Sequence, residues 1–199
     1  MQAVRMFEHR EEPVDDQIVR LEANWSDYQR FLELRGDRPV PRLSYLDGVV
    51  ELMSPSREHE ALKSRIGCLV EVWCLERGVE FQTLGSWTLE NKEKARGLEP
   101  DECYVLSADK DAARPDLAIE VIWTSGGLDK REIYRALGVP ELWFWRRGVI
   151  TAYTLRGGTY EEIASSEVLP GIELRSLVTF LDRPTTSQSI RDYRASLVR

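Results

Sequence analysis

One glutamate sits in a place where carboxylates are seldom found. Glu120 interrupts Leu117-Ala118-Ile119-Glu120-Val121-Ile122-Trp123, a run apolar at odd and even positions alike and so readable as a central strand buried on both faces. Left without a partner there, a carboxylate takes up a proton rather than stay charged, so a cation is expected beside it: a metal, a lysine or an arginine. A purely structural ion pair is the other reading of the same residue.

Two aspartates are close enough in sequence to join it, and geometry separates them. Asp116 precedes Glu120 by four residues on the same strand face, which at about 3.3 Å per residue leaves ~13 Å between them. Asp101 stands 19 residues upstream. If strands 102–106 and 117–123 pair antiparallel with Val105 opposite Asp116, Asp101 falls opposite Glu120. Opposed residues have Cα atoms about 4.5–5.5 Å apart, and two such carboxylates can chelate one hard divalent cation. Otherwise Asp101 is a strand-entry aspartate after Pro100.

Lys130 is the expected third member. It shares a helical stripe with Tyr134 and Leu137, so it should point toward the sheet and can orient a nucleophilic water; a lysine snorkelling at an exposed helix start is the alternative. Glu60, with Glu58 and His59 in the first turn of a long helix, can add a metal oxygen, or can simply favour the helix dipole. His59 reads equally as a ligand, an acid-base group or a satisfied core or cap histidine.

The elements that must position these residues follow from pattern. A helix opens at Ser26 and stops at Gly36 and Pro39, and reads as an appendage. Residues 42–46 and 49–53 flank Asp47-Gly48, the signal of a β-hairpin with a type I′ turn. Ser56 caps a helix with a stripe at Leu62, Ile66, Leu69, Val70 and Trp73, ending at Gly78. Short strands are expected at 79–83 and 86–90, then an exposed loop from Asn91 to Gly97 carrying Lys92, Lys94 and Arg96. Gly126-Gly127 breaks the chain before a helix over 128–137, closed by Gly138. Strands at 141–145, 149–155 and 159–164 complete the sheet, and a polar helix ends the chain.

The 199 residues suit one domain over 24–183, preceded by a polar segment, 1–23, and followed by a tail helix within 184–199. Apolar residues at 42% and charged residues at 31% describe a packed core. No apolar run reaches the ~20 residues of a membrane helix and the N-terminal stretch is no signal peptide, so a soluble, cytoplasmic protein is expected. Three cysteines with no CxxC pair argue against a disulfide framework or a zinc ribbon. A net charge of −7 argues against a binder that works by a general cationic field, and the lack of a GxSxG elbow against a serine hydrolase.

Pro100-Asp101, 18 intervening residues and Glu120 resemble the PD-(D/E)XK signature of the restriction-endonuclease-like nuclease superfamily. The wider pattern is Met53-Ser54-Pro55 with His59, then Arg114-Pro115-Asp116-Leu117-Ala118-Ile119-Glu120-Val121, then Lys130 through Tyr134 to Gly138-Val139-Pro140-Glu141-Leu142-Trp143. It resembles the Uma family of that superfamily over about residues 25–180. The resemblance implies an α/β fold, a mixed central sheet flanked by helices with the hairpin at its N-terminal side, and Mg²⁺-dependent phosphodiester hydrolysis, with Mn²⁺ as a substitute. It implies Asp101 and Glu120 as metal ligands and makes Glu60 similar to the acidic residue the superfamily often adds. The signature's lysine would fall at Ile122; Lys130 matches it from the next helix.

The resulting expectation is a nuclease nicking duplex DNA, with Asp101, Glu120 and Lys130 catalytic and Lys92, Lys94, Arg96, Arg131 and Arg135 available to phosphates. The rival is a catalytically silent scaffold whose Asp101, Glu120 and Lys130 form a structural ion cluster. Trp143-Phe144-Trp145, aromatic on both faces of one strand, would then be covered by a partner subunit in a homodimer.

Overall fold

The computed structural model describes residues 15–85, 87–109, 111–123 and 127–198; the expectations resting on residues 1–14, Ser86, Lys110 and Gly126 lie outside them. Two sheets organise the chain. The larger has six strands in the order β11-β10-β9-β8-β7-β4, where β4 is Gln82–Thr83, β7 Glu102–Val105, β8 Leu117–Val121, β9 Glu141–Arg146, β10 Val149–Arg156 and β11 Thr159–Ile163. It is mixed, because β8 and β9 run parallel while the other pairs are antiparallel. The helix between β8 and β9, α3 (Lys130–Leu137), makes the crossover that a parallel pair requires.

Alternation along β8 divides its side chains between two cores. Leu117, Ile119 and Val121 pack with Trp143 and Trp145 of β9 against Ile66, Leu69, Val70 and Trp73 of α2 (Arg57–Arg77). Ala118 lies on the other face with Cys103, Leu142 and Phe144, beneath Ile133 and Tyr134 of α3. Glu120 shares the Ala118 face by the period of two and so points at α3. The aromatic strand 143–145 is therefore an interior strand packed on both faces within this chain, with Phe144 also bordering a cavity, and it no longer argues for a partner subunit.

The smaller sheet has the order β1-β3-β2-β6-β5, with β1 Gln17–Glu22, β2 Arg42–Leu46, β3 Val49–Ser54, β5 Leu89–Asn91 and β6 Arg96–Leu98. The expected hairpin is its centre: Asp47 and Gly48 both take positive φ, 46° and 84°, and join Leu46 to Val49 as partners. Two parts of the sequence reading change here. Residues 17–22, expected to be irregular, form edge strand β1 against β3, with Val19 and Leu21 facing outward. The stretch expected as an exposed loop, 91–97, instead supplies the β5–β6 turn and most of β6.

The first helix is no appendage. α1 (Trp25–Arg35) has an Asn24–Asp27 capping box, and its Tyr28 is fully buried among Leu43, Tyr45 and Val50. Tyr28 lies so close to Gly97 that a Cβ there would sit 2.5 Å from the phenol oxygen, so only glycine lets β6 pass. The C-terminal helix, α5 (Thr186–Leu197), follows the short α4 (Leu174–Val178) and docks Tyr193 into the α2 core. No helix among the described residues is long and apolar enough to cross a membrane.

Candidate active site

The β7–β8 register pairs Glu102 with Ile119, Cys103 with Ala118 and Tyr104 with Leu117. Continued by one residue, it sets Asp101 across from Glu120, as the sequence argument requires. Asp101 Oδ2 accepts from the Val121 backbone N–H at 2.7 Å, so the side chain itself closes this end of the ladder. Asp116 caps the other end, accepting from Leu106 N–H at 2.8 Å.

Glu120 is 1% exposed and finds its cation on α3. Lys130 Nζ lies 2.5 Å from Oε2, and the Tyr134 hydroxyl donates to Oε1 at 2.5 Å. One helical stripe delivers both groups, because positions i and i+4 share a face. Burial pushes the Glu120 carboxyl up; the Lys130 charge opposes that rise and Asp101 adds to it. Burial would lower Lys130, but Glu120 and Asp101 outweigh it and raise its pKa. Lys130 thus keeps its proton at neutral pH. It can hold water or phosphate by charge, but it cannot accept a proton while paired.

Asp101 is fully buried, and its oxygens are engaged differently from the expectation. The Arg42 guanidinium bonds Oδ1 and also reaches Glu60. His59 Nε2 lies 3.1 Å from Oδ2, while its Nδ1 meets Asp16 at 2.9 Å. Burial alone would raise Asp101, but His59, Lys130 and Arg42 hold it well below the usual carboxylate range. Burial would also lower His59, yet the two aspartates outweigh it and push the imidazole up to about 9. His59 is a charged link between two carboxylates, placed by Ser56, whose hydroxyl accepts from its backbone N–H at 3.2 Å.

Glu60 joins this group through Arg42 rather than through a shared opening. It is 41% exposed and also pairs with Lys63 at 3.4 Å. The guanidinium therefore bridges two of the three carboxylates expected to grip a metal.

A cavity of about 480 Å³ opens between the facing surfaces of the two sheets. Glu120 and Lys130 line it, as do Glu51 and Asp16, whereas Asp101 and Glu60 do not. Glu51 was missed by the sequence reading. On β3, Val50 and Leu52 turn toward α1, which sends Glu51 and Met53 to the cavity. Glu51 Oε2 accepts from Arg20 Nε at 2.9 Å and from Leu128 N–H at 3.1 Å. Its signal was present in the sequence: a charge inside the apolar strand Val49–Ser54, the argument that found Glu120; Arg42, at the first position of β2, gives a weaker one. Asp16 lies in a polar stretch that gives no such sign.

Of the five basic residues considered for phosphates, Arg131 lines the cavity. Lys94 instead donates to Ala136 O at 2.9 Å, Arg96 pairs with Asp47 at 2.6 Å and Arg135 with Glu132 at 3.0 Å; Lys92 is exposed in the β5–β6 turn.

A hard divalent cation suits the chemistry of this donor set, since Asp101, Glu120 and Glu51 offer carboxylate oxygens. The Arg42 and Lys130 charges together equal that of one divalent ion, so an exchange would leave the cluster's charge unchanged. Among the described residues no three His, Cys, Asp or Glu side chains stand together as a ready-made metal site.

Fold and cluster together define a mixed-sheet, restriction-endonuclease-like domain. The family model described as "Putative restriction endonuclease", Uma2, matches residues 25–181, and the chain belongs to that family. The fold is similar to the crystal structure of a "putative nuclease" from Anabaena variabilis, with a TM-score of 0.52 at 13% identity, covering 84% of this chain and 98% of that one. No curated protein matches the chain.

Proposed function

We propose that this protein is a metal-dependent nuclease that hydrolyses phosphodiester bonds of DNA at the cavity end of the Asp101–Glu120 pair. The observation that carries the reading is the meeting of Glu120 and Lys130 at the cavity, with Asp101 register-opposed behind them. Family membership supports the same reaction class.

Glu120 and Asp101 would hold the cation, Mg²⁺ or Mn²⁺. Bound there, it would supply Lewis-acid polarisation of the phosphoryl group and a water of lowered pKa. Tyr134 fixes the Glu120 carboxylate by donating to Oε1. Lys130, protonated, holds anionic phosphate or the attacking water by its charge. Glu51 adds negative potential at the wall, and Arg131 offers a charge to a phosphate at the mouth.

A second reading has one specific observation in its favour: Arg42 occupies Asp101 and Glu60 at once. If it does not yield, the cluster is a structural ion network and the protein a silent scaffold or binding module.

The test is cleavage of supercoiled and of circular single-stranded DNA in Mg²⁺ or Mn²⁺. Wild type should cut at least one of them, and Glu120→Gln and Lys130→Met should each fall by about 100-fold or more. No cleavage with any divalent metal, or an unimpaired Glu120→Gln protein, would sink the nuclease reading.

A further inference from the structure

The cavity has a second character that the acidic cluster does not explain. On the strands beside Glu120, β9 and β10 present Phe144, its register partner, with Arg146, Thr151 and Tyr153. Alternation along β10 turns Ile150 and Ala152 into the α2 core, which leaves Thr151 and Tyr153 on the cavity side. Phe144 and Tyr153 meet edge to face, their centroids 5.9 Å apart at 74°. The Arg131 guanidinium lies over the Tyr153 ring, 5.6 Å from its centroid. The carboxylate and ammonium thus lie beside an edge-to-face aromatic pair, one ring of which carries a guanidinium over its face.

The volume and the depth of the acid point to the size of the guest. At about 480 Å³, the space falls within the roughly 300–1,000 Å³ typical of small-molecule pockets; it is not a groove for a double helix. Glu120 is 1% exposed and the Lys130 side chain 18%. The phosphates of an intact duplex run along its outside and cannot reach groups so enclosed. An unpaired nucleotide can: its base stacks on aromatic rings or guanidinium planes, and its phosphate goes in with it.

We infer that the cavity takes one unpaired nucleotide, its base stacked on the Arg131–Tyr153 platform and its phosphate toward Lys130, so that the preferred substrate is single-stranded DNA rather than an intact duplex. This deepens the hydrolytic reading and rests on it for the reaction, but not for the binding. Stacking selects no sequence, because every base has a π face.

The experiment measures binding and cutting separately. A fluorescein-labelled single-stranded 12-mer and a hairpin duplex of the same sequence are titrated with wild type in EDTA, followed by anisotropy. A second single strand carries 2-aminopurine, whose fluorescence is quenched on stacking. Single strand should bind at least about tenfold tighter than hairpin, with quenching; about 5- to 100-fold should be lost in Tyr153→Ala and retained in Tyr153→Phe. Arg131→Ala, on an exposed side chain, reports on the same platform should Tyr153→Ala fail to fold. Equal affinities, binding of neither DNA, or absence of quenching overturns the inference. Duplex cut as fast as single strand in Mn²⁺ also overturns it, while leaving the nuclease reading intact. Tight, quenched binding without cleavage in any metal upholds it and removes the nuclease reading instead.

Discussion

Asp101 and Glu120 face each other across one strand pair, yet they live in different surroundings. Asp101 is sealed, with Arg42 on one oxygen and His59 and a backbone N–H on the other. Glu120 is as deeply buried but borders the cavity, and its lysine borders it too. A carboxylate surrounded by fixed charges is a structural anchor until something displaces them, whereas one beside a cavity can exchange partners with a ligand. Access to the cavity, not burial, therefore separates the two carboxylates.

The contrast is sharpest when each side loses its cation. Arg42→Met strips Asp101 of its guanidinium and leaves His59 and the Val121 N–H as its direct partners, and removing one partner of a buried ion pair costs about 3–5 kcal/mol; urea unfolding should read that loss. An Arg42→Met protein as stable as wild type would mean that the sealed side is not sealed.

His59 provides a pH handle on the same side. Its folded value of about 9 exceeds its ordinary 6.5, so the protonated ring's contribution is fully present below pH 6.5. It declines as pH rises toward 9 and is gone above that. Thermal melts from pH 6 to 9.5 should show this fall in wild type, and a much weaker one in His59→Gln.

Lys130→Met should cost less stability, about 1–3 kcal/mol, because cavity water can solvate the remaining Glu120 and burial already favours its protonation. A loss equal to that of Arg42→Met would erase the proposed distinction. Smallest of all is Glu60→Ala, expected to change stability by about 0–1 kcal/mol in the same unfolding assay because its own carboxylate is 41% exposed and Arg42 keeps Asp101 as a partner.

Glu120, Lys130 and the Asp101 register were legible in the sequence because each depends on local periodicity: a strand of period two, a helix of i, i+4 spacing and one short pairing. The hairpin was legible because Asp47-Gly48 demands a particular backbone. Arg42 and Glu51 were not singled out, although Glu51 interrupts an apolar strand and Arg42 opens one. Their roles arise from the way the smaller sheet lies over the larger, which no short window contains. Edge strand β1 escaped notice because Val19 and Leu21 face outward and blur the usual alternation. The α1 packing escaped because it depends on Gly97 being small 69 residues beyond Tyr28.

The central claim is that the cations on these carboxylates stand where a divalent metal can replace them. Isothermal titration of Mn²⁺ into wild type, Arg42→Met and Glu120→Gln tests it directly. One bound ion in wild type, tighter binding once Arg42 no longer competes, and none in Glu120→Gln is the predicted result. Absence of heat in wild type and in a folded Arg42→Met protein alike would contradict it and leave an ion network that only holds the fold together.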